Sequence, residues 1–182
     1  MRADRITPFL LAALLPVAGI GHAAEPYHMD GLTLLQPEST LRERVAGGAA
    51  AMQAYIEAVN ASATRIIADS QPQRPSAGFI VLAVRPGHRS KIWLDFWPLL
   101  PSQTETRLFA ALEKVAPFEA RGGLVVFAID ASVWGSAPTQ EKAPRPNEWT
   151  RIIRERGAAT DAETIVEALW PNVRPPRTPA DP

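Results

Sequence analysis

Between positions 41 and 67 apolar residues recur at Leu41, Val45, Met52, Tyr55, Ile56, Val59, Ala63, Ile66 and Ile67. Intervals of three, four and seven put them on one face of a helix, so the spacing predicts a single long helix. Pro37 introduces it, with Thr40 and Glu43 at capping-box spacing, and Pro72 and Pro75 end it. Gly47 and Gly48 lie inside it. Each glycine weakens a helix by about 1 kcal/mol relative to alanine, so the pair marks either a close approach of another element or a kink. The period then changes. Residues 79–84 are bulky and β-branched, as in a strand, and Arg85-Pro86-Gly87-His88-Arg89 has turn chemistry. From Lys91 to Trp97 the pattern alternates: Ile92, Leu94 and Phe96 face one way, Lys91, Trp93, Asp95 and Trp97 the other. The two runs read as a hairpin.

A second helix follows Pro101, with Ser102 and Glu105 at capping-box spacing and apolar residues at Leu108, Phe109, Leu112 and Val115. Gly122-Gly123 lead into residues 124–131, which are apolar on both faces until Asp130. Such a strand is central in its sheet or covered on both sides. After a proline-rich loop at 136–146, Asn147 is placed to cap a helix carrying Trp149, Ile152 and Ile153, which stops at Gly157. Thr160 and Glu163 form a third capping pair, ahead of Ile165, Val166, Leu169 and Trp170. Residues 25–36 have no helical period; Leu32, Leu34 and Leu35 form a short strand or an extended arm. The expected fold is therefore α+β: a three-stranded, mainly antiparallel sheet with a long N-terminal helix and further helices packed on it. The expected order is helix, strand, strand, helix, strand, helix, helix.

The ends have a different character. Arg2 and Arg5 precede an apolar run at 6–20, and Gly21-His22-Ala23-Ala24 follow. A basic segment, a short apolar segment and a small-residue exit make a secretory signal peptide over residues 1–24. The run is about 15 residues, whereas a membrane-spanning helix needs roughly 20, so no stable membrane anchor is expected after cleavage. The expected location is periplasmic or secreted. Residues 25–171 make one domain, and the proline-rich tail at 172–182 is expected to be disordered. The chain has no cysteine, which removes disulfides and a lipid-bearing cysteine and leaves stability to a packed core. With 19 basic and 19 acidic residues and no cationic stripe, the chain is not expected to bind nucleic acid.

Residues 78–134 carry a further pattern. Gly78-Phe79-Ile80-Val81 opens a hydrophobic strand, a proline/glycine turn precedes Arg89, and a strand and a helix follow. Gly122-Gly123-Leu124-Val125-Val126 then leads the last strand. This order resembles the periplasmic C-terminal domains of the TonB and TolA energy-transduction proteins. The tyrosine-proline pair usual before the first strand of that family is absent, and two more helices follow here. The resemblance implies an interaction domain rather than a catalyst and transfers no functional residue.

Candidate chemistry is sparse. His28 and His88 lack the spacing of metal ligands, and no metal or other cofactor is expected. Ser132 lies just after the last strand but outside any G-x-S-x-G elbow. Gly122-Gly123 stands before a strand and not before a helix N-terminus, so it does not cradle phosphate. Asp95 and Asp130 lie near two strand ends and could act as general acid and base if those strands are neighbours. Trp93 and Trp97, alternating with Lys91 and Asp95, form a mixed face of the kind that anchors a protein partner. The bland alternative is that the C-terminal helices cover this face, with Trp149, Ile152, Leu169 and Trp170 packing on both tryptophans. The expectation is a non-enzymatic envelope domain that binds an envelope or secreted protein through Trp93, Trp97, Lys91, Asp95 and Trp134. Two alternatives stand beside it: a peptidoglycan or glycan hydrolase using Asp95 and Asp130, and a small-ligand binder with a pocket between the long helix and the sheet.

Overall fold

The computed structural model describes residues 25–171; the signal-peptide and tail readings of 1–24 and 172–182 lie outside the described residues. The chain runs β1 (Tyr27–Leu34), α1 (Glu38–Arg44), α2 (Gly48–Ala68), β2 (Ser76–Arg85), β3 (Arg89–Trp97), α3 (Ser102–Leu112), β4 (Val125–Val133), α4 (Asn147–Arg156) and α5 (Ala162–Leu169). The strands form one antiparallel sheet in the order β1-β4-β2-β3. The expected three-stranded sheet with its different order of elements is therefore corrected to four strands and five helices.

Two local causes account for the correction. On β1 the residues that join the first core are Tyr27 and Met29, and Leu32 and Leu34 lie farther along the same face. Their spacing is two, three, two because the register with β4 shifts between Met29 and Gly31, leaving Asp30 as the extra residue of a bulge. One inserted residue hides a period of two. The single long helix, in turn, is two helices. Val45 bridges to Ala120, the Ala46 N–H donates to the Glu119 carbonyl and the Arg121 N–H to the Arg44 carbonyl. Gly47 and Gly48 then take φ of +87° and +63°, values that L side chains rarely adopt, and α2 starts at Gly48.

The capping pairs also move. Pro37, Pro101 and Pro146 each stand directly before a helix with ψ between 136° and 145°, and their carbonyls accept the first helical N–H bonds. Thr40, Ser102 and Asn147 consequently lie inside their helices and cap nothing. At α5 the cap is Asp161, one residue after the expected Thr160; its carboxylate accepts from the Thr164 N–H at 2.9 Å and the Thr164 hydroxyl at 2.8 Å.

The two central strands, β2 and β4, are almost wholly buried, so each face of the sheet needs its own cover. On the first face α1, α2 and α3 pack Leu41, Tyr55, Val59, Ala63, Ile67, Leu108 and Leu112 onto Ile80, Leu82, Ile92, Phe96, Phe127 and Ile129. That core lies between the long helix and the sheet, where the small-ligand reading places its pocket. On the second face α4 and α5 bring Trp149, Ile152, Ile165 and Val166 onto Phe79, Val81, Ala83, Trp93, Val126 and Ala128. A polar clasp joins the layers. Gln36 accepts from the Val126 N–H at 2.9 Å and donates to the Leu124 carbonyl and to Glu163 of α5; Arg44 of α1 donates to the same carbonyl and the same carboxylate.

Backbone contact is tightest at Gly78 in β2, where a Cβ would sit 2.0 Å from the Asp95 carbonyl oxygen and 2.7 Å from the Phe96 Cα. Gly78→Ala is expected to destabilise the domain by at least about 3 kcal/mol, read by urea unfolding, because backbone on both strands would have to move. Asp161 gives a pH signature. The Thr164 N–H first, then its hydroxyl, hold the carboxyl below its ordinary range. Its stabilisation is thus complete above the unfolded value of about 3.9 and is lost as pH falls through the lower folded value. Asp161→Ala should cost about 1 kcal/mol at neutral pH and noticeably less in acid, with the two midpoints converging.

Candidate functional site: the free end of β3

The β3 pattern places Lys91, Trp93, Asp95 and Trp97 on the second face, opposite Ala83, Val81, Phe79 and Ala77 of β2. Cover along that row is uneven. At Trp93 it is complete: the indole is 5 % exposed, meets Trp149 edge-on with ring centroids 5.6 Å apart, and donates from Nε1 to Glu148 at 2.9 Å. Lys91 Nζ lies 3.7 Å from the same Glu148 and 5.2 Å from the Trp93 ring. One residue pair further on, cover comes from the loop that leads into α4. Pro144 and Pro146 are buried, and the Arg145 N–H donates to the Asp95 carboxylate. At the end of the strand there is none. Trp97 is 80 % exposed, and after Pro98 the side chain of Leu99 is 70 % exposed.

This corner is held firmly from behind. The Ser76 hydroxyl donates to the Pro98 carbonyl, and Leu100 returns to the first core. Beside it, β3 is the last strand of the sheet, and its register with β2 runs from Arg89 to Trp97 without a bulge. A cleft of about 420 Å³ opens along this edge between Glu105, Thr106 and Phe109 on α3 and Pro146, Asn147 and Glu148 at the start of α4.

The five expected binding residues therefore part company. Trp97 is presented to solvent. Lys91 and Asp95 are half-buried and hydrogen-bonded or ion-paired. Trp93 belongs to the second core, so a shared Trp93/Trp97 platform does not exist. Trp134, at φ +53° just past β4, packs on the first core with its indole N–H buried and without a partner among the described residues. Leu99 was not singled out in the sequence; the signal for it is its place between Pro98 and Pro101, where a leucine cannot be part of a strand or helix period.

The carboxylate pair is also separated. Asp95 and Asp130 are not on neighbouring strands: both pair with Phe79 of β2, from opposite sides. They share a face, about two strand spacings or roughly 10 Å apart, with the buried Phe79 between them. Asp130 accepts from the Thr33 hydroxyl at 2.8 Å. The pairing of His28 with Ser132 does bring those residues together, yet through Asp30. The Asp30 carboxylate takes the Ser132 hydroxyl at 3.2 Å and the His28 Nδ1 at 2.8 Å. With the carboxylate in the middle, the imidazole is not placed to take the serine proton. The same Asp30 charge adds to burial in pushing the Tyr27 phenol pKa up. Among the described residues no cluster of three or more histidine or acidic side chains is arranged to hold a metal ion, and no helix is long and apolar enough to cross a membrane.

No protein-family model, curated protein or solved structure matches this chain.

The unequal fates of two tryptophans on one strand face can be measured. Trp93→Ala should cost about 3–5 kcal/mol in urea unfolding, as expected for a buried aromatic. Trp97→Ala should stay within about 0.5 kcal/mol of the unaltered protein, as for a surface change.

Proposed function

We propose that this chain is an exported, non-enzymatic protein-binding domain of the bacterial envelope, and that its partner covers the corner formed by Trp97 and Leu99. The observation that carries this reading is a large aromatic and a leucine held almost fully in solvent at the end of a well-paired strand. Tryptophan is enriched at the energetic centres of interfaces because it offers a wide apolar surface with few rotatable bonds. Here little ordering remains to be done on binding, since Leu100 and the Ser76–Pro98 bond already fix the turn. The export signal read from the sequence at 1–24 supports an envelope location. The resemblance of 78–134 to the energy-transduction domains points to the same class of role. An inhibitor or immunity protein and an adaptor would both use such a corner, and the identity of the partner separates them.

The test is affinity capture from a periplasmic extract with residues 25–182 as bait, beside a Trp97→Ser/Leu99→Ser double variant. The unaltered bait should retain a stoichiometric partner and the variant should lose at least about tenfold of it, a loss of about 1.4 kcal/mol, with an unchanged unfolding midpoint. Equal recovery by the two baits would contradict the proposal.

A further inference from the structure

The open edge of β3 has a sequence property of its own. Read outward from Trp93, the middle residue of Arg89–Trp97, the second-face row is basic in one direction (Lys91, Arg89) and acidic then aromatic in the other (Asp95, Trp97). The first-face row carries Ile92 and Leu94 on either side of the same centre. A strand with this antisymmetry is complementary to itself when reversed.

We infer that β3 pairs antiparallel with β3 of a second copy across a two-fold axis at Trp93, joining two four-stranded sheets into one of eight strands. In an antiparallel pair, directly opposite residues share a face and interact. With Trp93 on the axis all nine residues of the strand find partners. Lys91, which also lies 3.7 Å from Glu148, faces Asp95 of the second copy twice over, and Asp95 keeps one oxygen for the Arg145 N–H. Arg89 faces the exposed Trp97, and Ile92 faces Leu94. Shifted by one residue pair in one direction, the register would set Trp93 against Asp95 and Lys91 against Trp97, losing every opposite-charge pair. Shifted in the other, it would keep Arg89 against Asp95 but leave Lys91 against Trp93 and Trp97 outside the pairing.

The two sheet edges support this use of β3. An edge strand leaves every second N–H and C=O unpaired and invites another strand. On β1 the bulge at Asp30 interrupts that row. On β3 no bulge interrupts it; no other strand pairs with its outer side among the described residues, and the cleft between α3 and α4 opens along Lys91, Ile92, Trp93 and Leu94. Two-fold pairing closes this edge, leaves the bulged β1 as the outer edge of both halves, and ends in a closed dimer rather than a fibre. It also places both Leu99 corners on one assembly, which would make partner binding bivalent. The dimer follows from β3 alone and does not depend on the proposed partner.

The experiment uses residues 25–182 without any partner, with mass read by light scattering over a wide concentration range. The unaltered protein should reach twice the monomer mass. Lys91→Glu and Asp95→Lys, each of which sets like charges face to face across the two-fold, should each return it to the monomer mass. Because Lys91 also meets Glu148 and Asp95 the Arg145 N–H within the chain, each variant is compared at an unfolding midpoint that shows it folded. The Lys91→Glu/Asp95→Lys double exchange should restore the dimer. Within one chain these residues are four apart on a strand, about 13 Å, so restoration cannot arise inside a monomer. A second measurement needs no variant: a zero-length carbodiimide cross-linker should yield a Lys91–Asp95 isopeptide only in the dimer band. An unaltered protein that stays monomeric, single variants that dimerise as well as it does, a folded double exchange that stays monomeric, or a dimer without that cross-link would each overturn the inference.

Discussion

The constraint on which the structure depends is that β2 and β4 are apolar on both faces. Neither strand can lie at an edge or face water, so they pair with each other in the middle of the sheet, and each face must carry a separate helical layer. The N-terminal half and α3 supply one layer; α4 and α5 supply the other. The two strands left for the outside, β1 and β3, then become, among the described residues, the places where this sheet can meet another chain by backbone pairing. Everything proposed for the surface of the domain follows from how those two edges differ.

The second layer has the smaller buried cluster and is tied down by specific polar links. Glu163 of α5 is held by Gln36 and Arg44, and the buried Arg85 of β2 reaches Glu167 and the Trp170 carbonyl at the far end of the same helix, with the Trp170 ring 4.8 Å from its guanidinium carbon. Breaking one partner of such a network leaves a buried polar group unpaired, which costs more than the bond itself contributes. Because α4 and α5 stop short of the end of β3, this layer also decides which tryptophan is core and which is surface.

Much of the architecture can be read from local pattern. The α+β class, the β2–β3 hairpin, the two-faced burial of residues 124–131 and the helical stripes of α2, α3, α4 and α5 all follow from periodicity. What escapes is set by single residues or by contacts distant in sequence. Asp30 inserts one residue into β1 and hides its period of two. Gly47 and Gly48 break the long helix only because Val45 and Ala46 are drawn to Ala120 and Glu119, over seventy positions away in the chain. The candidate site illustrates the same limit. Trp93 and Trp97 are indistinguishable in pattern, same type, same strand, same face. Their difference lies in where the segment after β4 turns into α4, which no spacing within β3 records. Asp95 and Asp130 are likewise read as possible neighbours until β2 is seen to run between them.

The central claim is that recognition by this domain occurs at the solvent-held corner of β3 and not in a catalytic cleft. Hydroxyl-radical footprinting of the captured complex, with oxidation followed at each tryptophan, tests it most directly. The account predicts that Trp97 becomes more protected in the complex than it is in the partner-free protein, while Trp93 and Trp149 stay protected in both states. A bound partner that leaves Trp97 as reactive as before would contradict it.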